Sequence, residues 1–326
     1  MRILAWAVAA VALLWSGYWF FTSRIAHHTI LSFIEQARNN GAVIDYSDLN
    51  LEGFPNRFDL TVSAPLVQNA AKSFHYHSDF IQFLSLSYSP WHVIVAFAPR
   101  QDLVLFGKNL EIETDKAQAS IVMSPTKNLA LERLIFMGSG LRFRNDSGAL
   151  GQASSFDMGL RARDALPTDG ATDRRYQLGL RATNLKLAFT DGPTQIFLQL
   201  DMLLDRPIDG KIWHENPMPR AFDLSNFSLI WNMAELTAAG QVSADSRGLA
   251  QGRIMLTLQN WQVFFDFAVA QNWISPKARQ GIKNLGQALS QGKDRLELPL
   301  FVKDNWVSLG PVPLGKLPAT FAKISP

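Results

Sequence analysis

Apolar and polar positions change rhythm along this chain, and the first rhythm is the simplest. Ile3 to Phe21 (ILAWAVAAVALLWSGYWFF) is 19 residues without a charge. At a helical rise of ~1.5 Å per residue the run reaches about 28 Å, close to the ~30 Å hydrocarbon core of a bilayer. It predicts a membrane-spanning helix. Arg2 is the only charged side chain before it, and a short basic end stays on the cytoplasmic side, which sends the body across the membrane. Trp15, Tyr18, Trp19, Phe20 and Phe21 crowd the far end of the run, where aromatic rings favour the membrane-water interface. A cleaved secretory signal is the competing reading, but its apolar core is shorter and ends in a small-x-small site, whereas this run ends in bulky rings. A helix buried in a soluble core fits less well, because the segment is terminal and apolar all round.

From Thr22 to Asn40 the spacing becomes that of a juxtamembrane helix, with Ile25, Ile30, Ile34 and Ala37 near one face and Gly41 placed to stop it. Beyond Ala42 the period drops to two. Arg57 to Ser63 (RFDLTVS), Phe74 to Phe80, Trp91 to Ala98 (WHVIVAFA), Leu103 to Phe106, Leu110 to Thr114, Ala117 to Met123 and Ala130 to Phe136 all read as strands. Gly53–Pro55, Pro65, Pro90, Pro99, Gly107, Pro125, Gly138, Gly140 and Gly148 punctuate them, as turns require. Ser154 to Arg163 and Tyr176 to Phe189 alternate most cleanly, around a polar loop from Ala165 to Arg175. Thr194 to Leu204 satisfies neither period and is left as strand or short helix.

Asp205 to Arg220 (DRPIDGKIWHENPMPR) carries three prolines and is the candidate division between subdomains. Strands resume at Asp223 to Trp231, Glu235 to Ala244 and Gly252 to Leu258. Asn260 then stands as N-cap before Trp261, Phe264, Phe265, Ala268 and Val269, which fall at helical spacing. Ser275 and Pro276 start a second helix, with Ala278, Ile282, Leu285 and Leu289 as its apolar stripe and Gly292 as its stop. Arg295 to Val302 and Trp306 to Leu309 close the pattern as strands. The expected fold is mainly β with some α. A transmembrane anchor (1–21) and a juxtamembrane helix (22–41) precede a β-rich region (42–204). A connection (205–222) then leads to a second β-rich region (223–326) containing a helical pair (261–291). The sheet is expected to be elongated, curved and antiparallel, or a sandwich, with the helical hairpin packed on it.

Composition narrows the chemistry. With 31 basic and 28 acidic residues the formal net charge is +3, and no dense basic block marks a nucleic-acid surface. The absence of cysteine removes disulfides, thiolate metal sites and thiol nucleophiles together. His75 and His77 share a strand face with Asp79, but exposed polar alternation explains all three. His92 reads as an edge residue and His214 as solvated, while His27 and His28, just outside the membrane, are adjacent on a helix and do not share a face. The carboxylates Asp45, Asp48 and Glu52, and likewise Glu111 and Glu113, sit where strand faces usually carry them. ADSRG (Ala244–Gly248) is a hairpin turn rather than a nucleophile elbow. No catalytic, metal or cofactor residue emerges. Trp213, Trp231, Trp261, Phe264, Phe265, Trp273 and Trp306 are the candidate lining of an apolar groove, with core packing the simpler account of the same residues.

GAVIDYSDLNLEGFPNRFDLTVSAP (Gly41–Pro65), LSNFSLIWNMAELTAAGQVSADSRGLAQGRIMLTLQNW (Leu224–Trp261) and LELPLFVKDNWVSLGPVPLG (Leu296–Gly315) together resemble an uncharacterised family of bacterial envelope proteins, a domain of unknown function found mainly in alphaproteobacteria. The carboxy-terminal strands, helical pair and LGP are more distantly similar to AsmA-like envelope proteins. That second resemblance implies anchored proteins with long curved sheets enclosing apolar grooves and a part in lipid handling. The expectation is a non-enzymatic inner-membrane protein, held through Ile3 to Phe21, with its body in the periplasm. A lipid or other apolar ligand is its expected partner. The alternative is a structural or assembly factor that binds another envelope protein through a sheet edge or surface.

Overall fold

The computed structural model describes residues 1–105, 107–125, 128–164, 172–187, 192–211, 216–272, 274–309 and 312–317. The apolar run and the juxtamembrane segment form one uninterrupted helix, α1 (Arg2–Asn39). Its end follows from Gly41, which takes φ of +86° where a side chain would be strained. The Gly41 N–H donates to Arg38 O at 2.9 Å and the Ala42 N–H to Ala37 O at 3.1 Å. These are the two bonds of a Schellman stop.

The described chain divides into two compact units, Met1–Gln152 and Ala153–Pro326. In the first unit the strands are β1 (Val43–Asp45), β2 (Asp48–Glu52), β3 (Arg57–Ser63), β4 (Leu66–Gln68), β5 (Phe74–Ser78) and β6 (Phe80–Leu86). They continue as β7 (Ser89–Phe97), β8 (Arg100–Leu105), β9 (Lys108–Glu113), β10 (Lys116–Met123) and β11 (Leu131–Asn145). Strands β2, β3, β6, β7, β10 and β11 pair antiparallel in that order. Strands β1, β4, β5, β8, β9 and β11 pair in the matching order. The two sets are therefore halves of the same strands, each bent once and laid side by side along a common crease. The bends fall at Tyr46–Ser47, Ala64–Pro65, Asp79, Ala98–Pro99, Thr114–Asp115 and, inside β11, at Gly140, whose φ is +59°. Backbone bonds continue across the crease: Ser47 N–H to Ser63 O (2.9 Å), Ala64 N–H to Asp79 O (2.7 Å) and Thr114 N–H to Pro99 O (2.8 Å). Ser78, Ala98, Gln101, Thr114 and Leu141 are buried along it.

The division between the units falls within β12 (Gly148–Arg163). The second unit continues with β13 (Arg174–Leu187), β14 (Thr194–Leu204), β15 (Pro219–Trp231), β16 (Ala234–Ala244) and β17 (Ala250–Gln259). After the helices come β18 (Arg295–Lys303), β19 (Trp306–Leu309) and β20 (Val312–Lys316). From β13 onward each strand pairs antiparallel with the next, so Thr194 to Leu204 is a strand. The connection 205–218 joins two paired strands inside this unit. It is pinned by the Met218 N–H on the Asp205 carboxylate (2.8 Å) and by the Ile208 N–H on the phenol oxygen of the buried Tyr176 (2.9 Å).

Helices α2 (Trp261–Ala270) and α3 (Pro276–Ser290) form an excursion between the paired strands β17 and β18. Two local expectations need correction. Asn260 does not cap α2 with its side chain: it adopts left-handed φ and ψ of 52° and 50°, and its amide donates to Met233 O. The strand-to-helix reversal demands a conformation that Asn tolerates, and this use displaces the N-cap. On α3, Ile282, Leu285 and Leu289 face outward, at 42%, 50% and 48% exposure, while Gly286 and Ser290 are buried. A Cβ on Gly286 would lie 2.8 Å from the Trp261 ring, so the helix packs through its smallest residue.

Candidate functional site

The end of the apolar run is not free. The indole N–H of Trp15 donates to Pro55 O at 2.8 Å, that of Trp19 to Arg57 O at 2.8 Å, and the Tyr18 hydroxyl to Ser87 O at 3.0 Å. The acceptors lie on the tips of two hairpins, β2–β3 and β6–β7, which are tied together by the Ser87 N–H on Asn56 O at 3.0 Å. Trp19 is buried at 6% exposure, with Phe20, Phe54 and Phe58 around it at ring-centroid distances of 5.2, 5.4 and 6.1 Å. The tip can turn this tightly because Gly53 takes φ of +107° and a Cβ there would meet Arg57 O at 2.8 Å. The rings that mark the membrane interface in the sequence thus form a collar gripping the first unit.

In the second unit the cross-strand register collects apolar side chains on one face. One row runs Leu180, Leu198, Phe227, Ala238, Leu256 and Leu298, and the next runs Leu178, Leu200, Leu224, Gly240, Ile254 and Leu300. With strands ~4.8 Å apart, each row is about 24 Å long. The face is closed at one end by Trp261, Phe265 and Leu296, packed with Leu258, Val269, Ile274 and Leu298. At the other end Val242, Ala244, Ala250 and Val302 pack with Phe222, Ile254, Val307 and Leu317. Between these clusters the leucines stay only half-buried. The opposite face is mixed: an open cavity of about 820 Å³ there is lined by Arg175, Asp201, Asp223 and Arg253 and also by Leu203 and Met255.

The structure brings four of the proposed groove residues together. Trp231 lies 6.3 Å from Phe264, and Trp261 6.3 Å from Phe265. Trp261 and Phe265 belong to the end wall described above, while Trp231 packs on Phe264 and on Phe267 at 4.8 Å; Trp231 and Trp261 are buried at 8% and 4%. Trp306 stands apart at the β18–β19 turn, 51% exposed, and Trp213 and Trp273 lie outside the described residues. The hairpin tips and the leucine rows were missed in the sequence. Their available signal was an aromatic at a turn, in GFPN and SYSP, and period-two leucines at matching offsets.

Polar candidates find partners. Glu111 and Glu113 join a cross-strand ladder with Arg100, Arg142 and Arg144, at 3.2 to 3.9 Å. Hydrogen bonds that Arg142 donates to Glu113 and Asp115 hold its pKa above its usual value. His77 Nδ1 lies 3.6 Å from Asp102, while Tyr76, on the same strand, has its pKa raised by burial against the opposing bond to Ser78. His92 is not at an edge: β7 lies between β6 and β10, and its Nε2 meets Ser120 Oγ at 3.0 Å. Asp245 makes the ADSRG turn by accepting the N–H groups of Leu249 and Arg247 at 2.9 and 2.8 Å. The Leu249 bond, foremost, keeps its carboxyl below the ordinary range.

Fold and site define a mainly β, antiparallel protein with an N-terminal helix long and apolar enough to cross a membrane. The chain belongs to the family described as an uncharacterized protein conserved in bacteria (DUF2125), which matches residues 19–318. No curated protein and no solved structure matches it.

Proposed function

We propose that this is a non-enzymatic protein of the bacterial envelope, anchored in the inner membrane with its β-rich body in the periplasm, and that the leucine rows of the second unit hold an acyl chain or similar apolar ligand. One observation carries the reading: apolar clusters pack at either end of β17 and β18 while the leucine side chains of the rows, among the described residues, stay half-buried. Burial of such a surface is favourable at about 25 cal/mol per Å², and a ligand without polar groups satisfies it. Holding a chain needs no reacting group. The AsmA-like resemblance, with its apolar grooves, agrees with this reading.

Native mass spectrometry of gently extracted full-length protein tests it. Copurified phospholipid is expected, with several-fold less retained by Leu256→Asn at unchanged secondary structure. A second reading, an assembly factor, rests on sheet edges: among the described residues β2 pairs with β3 alone and β20 with β19 alone, which leaves edges for strand addition. Lipid-free protein with a stable crosslinked partner would favour it.

A further inference from the structure

We infer that the β2–β3 and β6–β7 hairpin tips are inserted into the outer leaflet of the membrane that α1 enters, with Phe54 and Tyr88 as their lipid-facing side chains. This rests on the anchor reading and goes beyond it. Arg2 and Arg24 bracket the uncharged stretch Ile3–Ser23, roughly 32 Å of helix at ~1.5 Å per residue. With Arg2 at one boundary of a ~30 Å hydrocarbon core, Trp15 lies about 10 Å inside the far boundary and Trp19 about 5 Å inside it. Tilt places both deeper, since it shortens the rise along the membrane normal. The tips are hydrogen-bonded to these same residues, so they share that depth.

The tips are built for such a place. Backbone groups cannot enter lipid unsatisfied, and here the Pro55, Arg57 and Ser87 carbonyls accept from Trp15, Trp19 and Tyr18. The Arg57 N–H donates to Gly53 O at 2.8 Å and the Ser87 N–H to Asn56 O at 3.0 Å, while Pro55 has no N–H to satisfy. Donors from the spanning helix thus do the work that water does at an ordinary turn. Beside Glu52 and Asn56, the tips expose side chains suited to an interface: Phe54 at 51%, Tyr88 at 57% and Leu86 at 38%. Phe54 stacks on Phe20 of α1 at 5.6 Å, continuing the helix's apolar surface onto the tip. Arg57, the nearest cation, pairs with Asp59 at 3.1 Å and has a stem long enough to reach the headgroups.

The cysteine-free chain allows a direct test on the full-length protein in phosphatidylethanolamine–phosphatidylglycerol vesicles. Phe54→Cys, Tyr88→Cys, Val8→Cys and Lys72→Cys are each labelled with a polarity-sensitive fluorophore. Lys72 lies in the β4–β5 turn, at the opposite end of the creased strands. The tip positions are expected to be quenched by shallow spin-labelled lipid and shielded at least fivefold from aqueous iodide relative to position 72. Tyr88→Cys carries the test if Phe54→Cys disturbs the ring stack. Iodide quenching at 54 and 88 equal to that at 72, with position 8 shielded, would overturn the insertion and leave the anchor standing. Free iodide access at position 8 as well would overturn both.

Discussion

Asn305 is a small residue with several tasks. It is 2% exposed and takes φ of +66° after Asp304 at +50°, the paired left-handed conformation of a two-residue hairpin turn. Its side-chain oxygen accepts the Ala250 N–H at 2.6 Å, and its own carbonyl accepts the Leu317 N–H at 2.7 Å. One residue therefore joins the start of β17, the β18–β19 turn and the segment after β20. Asn305→Ala should cost about 2 kcal/mol for the buried N–H left without a partner, and about 1 kcal/mol more for the positive φ. Asn305→Gly should lose the hydrogen bond but not the backbone preference. Chemical denaturation of the three proteins checks the order parent, Gly, Ala; a glycine variant as stable as the parent would mean that the side-chain bond contributes nothing.

At the scale of elements, α3 separates apolar pattern from packing. Its leucine stripe is the strongest periodic signal in that segment, yet Gly286 makes the close approach to Trp261. Gly286→Leu should therefore destabilise by about 2 kcal/mol through overpacking, whereas Ile282→Ser and Leu289→Ser should stay within about 0.5 kcal/mol as surface changes. Urea midpoints distinguish these outcomes. Periodicity reports that a face is apolar and says nothing about which neighbour covers it, so the helical pair was legible and its orientation was not. The strands show the same limit. Arg57–Ser63 and Ala117–Met123 were readable from alternation, but Ala64–Pro65 and Ala98–Pro99 look alike whether a chain reverses or merely bends. The crease that makes long strands of adjacent short ones depends on pairing between distant segments, which a local pattern does not contain. Thr194–Leu204 was ambiguous for a related reason: apolar Phe197 and Leu203 fall on the otherwise polar positions of its alternation.

For the molecule as a whole, the collar changes what the N-terminal helix is. Trp15, Tyr18 and Trp19 were legible as interfacial aromatics; their acceptors, 38 to 69 residues away in sequence, were not. Removing the run as a signal peptide would withdraw three donors from the hairpin tips and uncover Phe54 and Phe58, so this stretch of α1 is part of the first unit's core. The mature protein should accordingly keep Trp15 to Phe21, remain in the membrane fraction after a high-salt wash, and give an intact mass that includes the run. Trp19→Ala should destabilise the first unit by about 3 kcal/mol, the usual cost of emptying a buried aromatic site. Trp15→Phe should cost about 1 kcal/mol, because it loses one hydrogen bond and keeps the ring. Limited proteolysis in detergent, read at the β2–β3 and β6–β7 tips, measures both. A shortened soluble chain, or a Trp19→Ala protein as resistant as the parent, would mean that the helix only delivers the body to its compartment and does not hold it together.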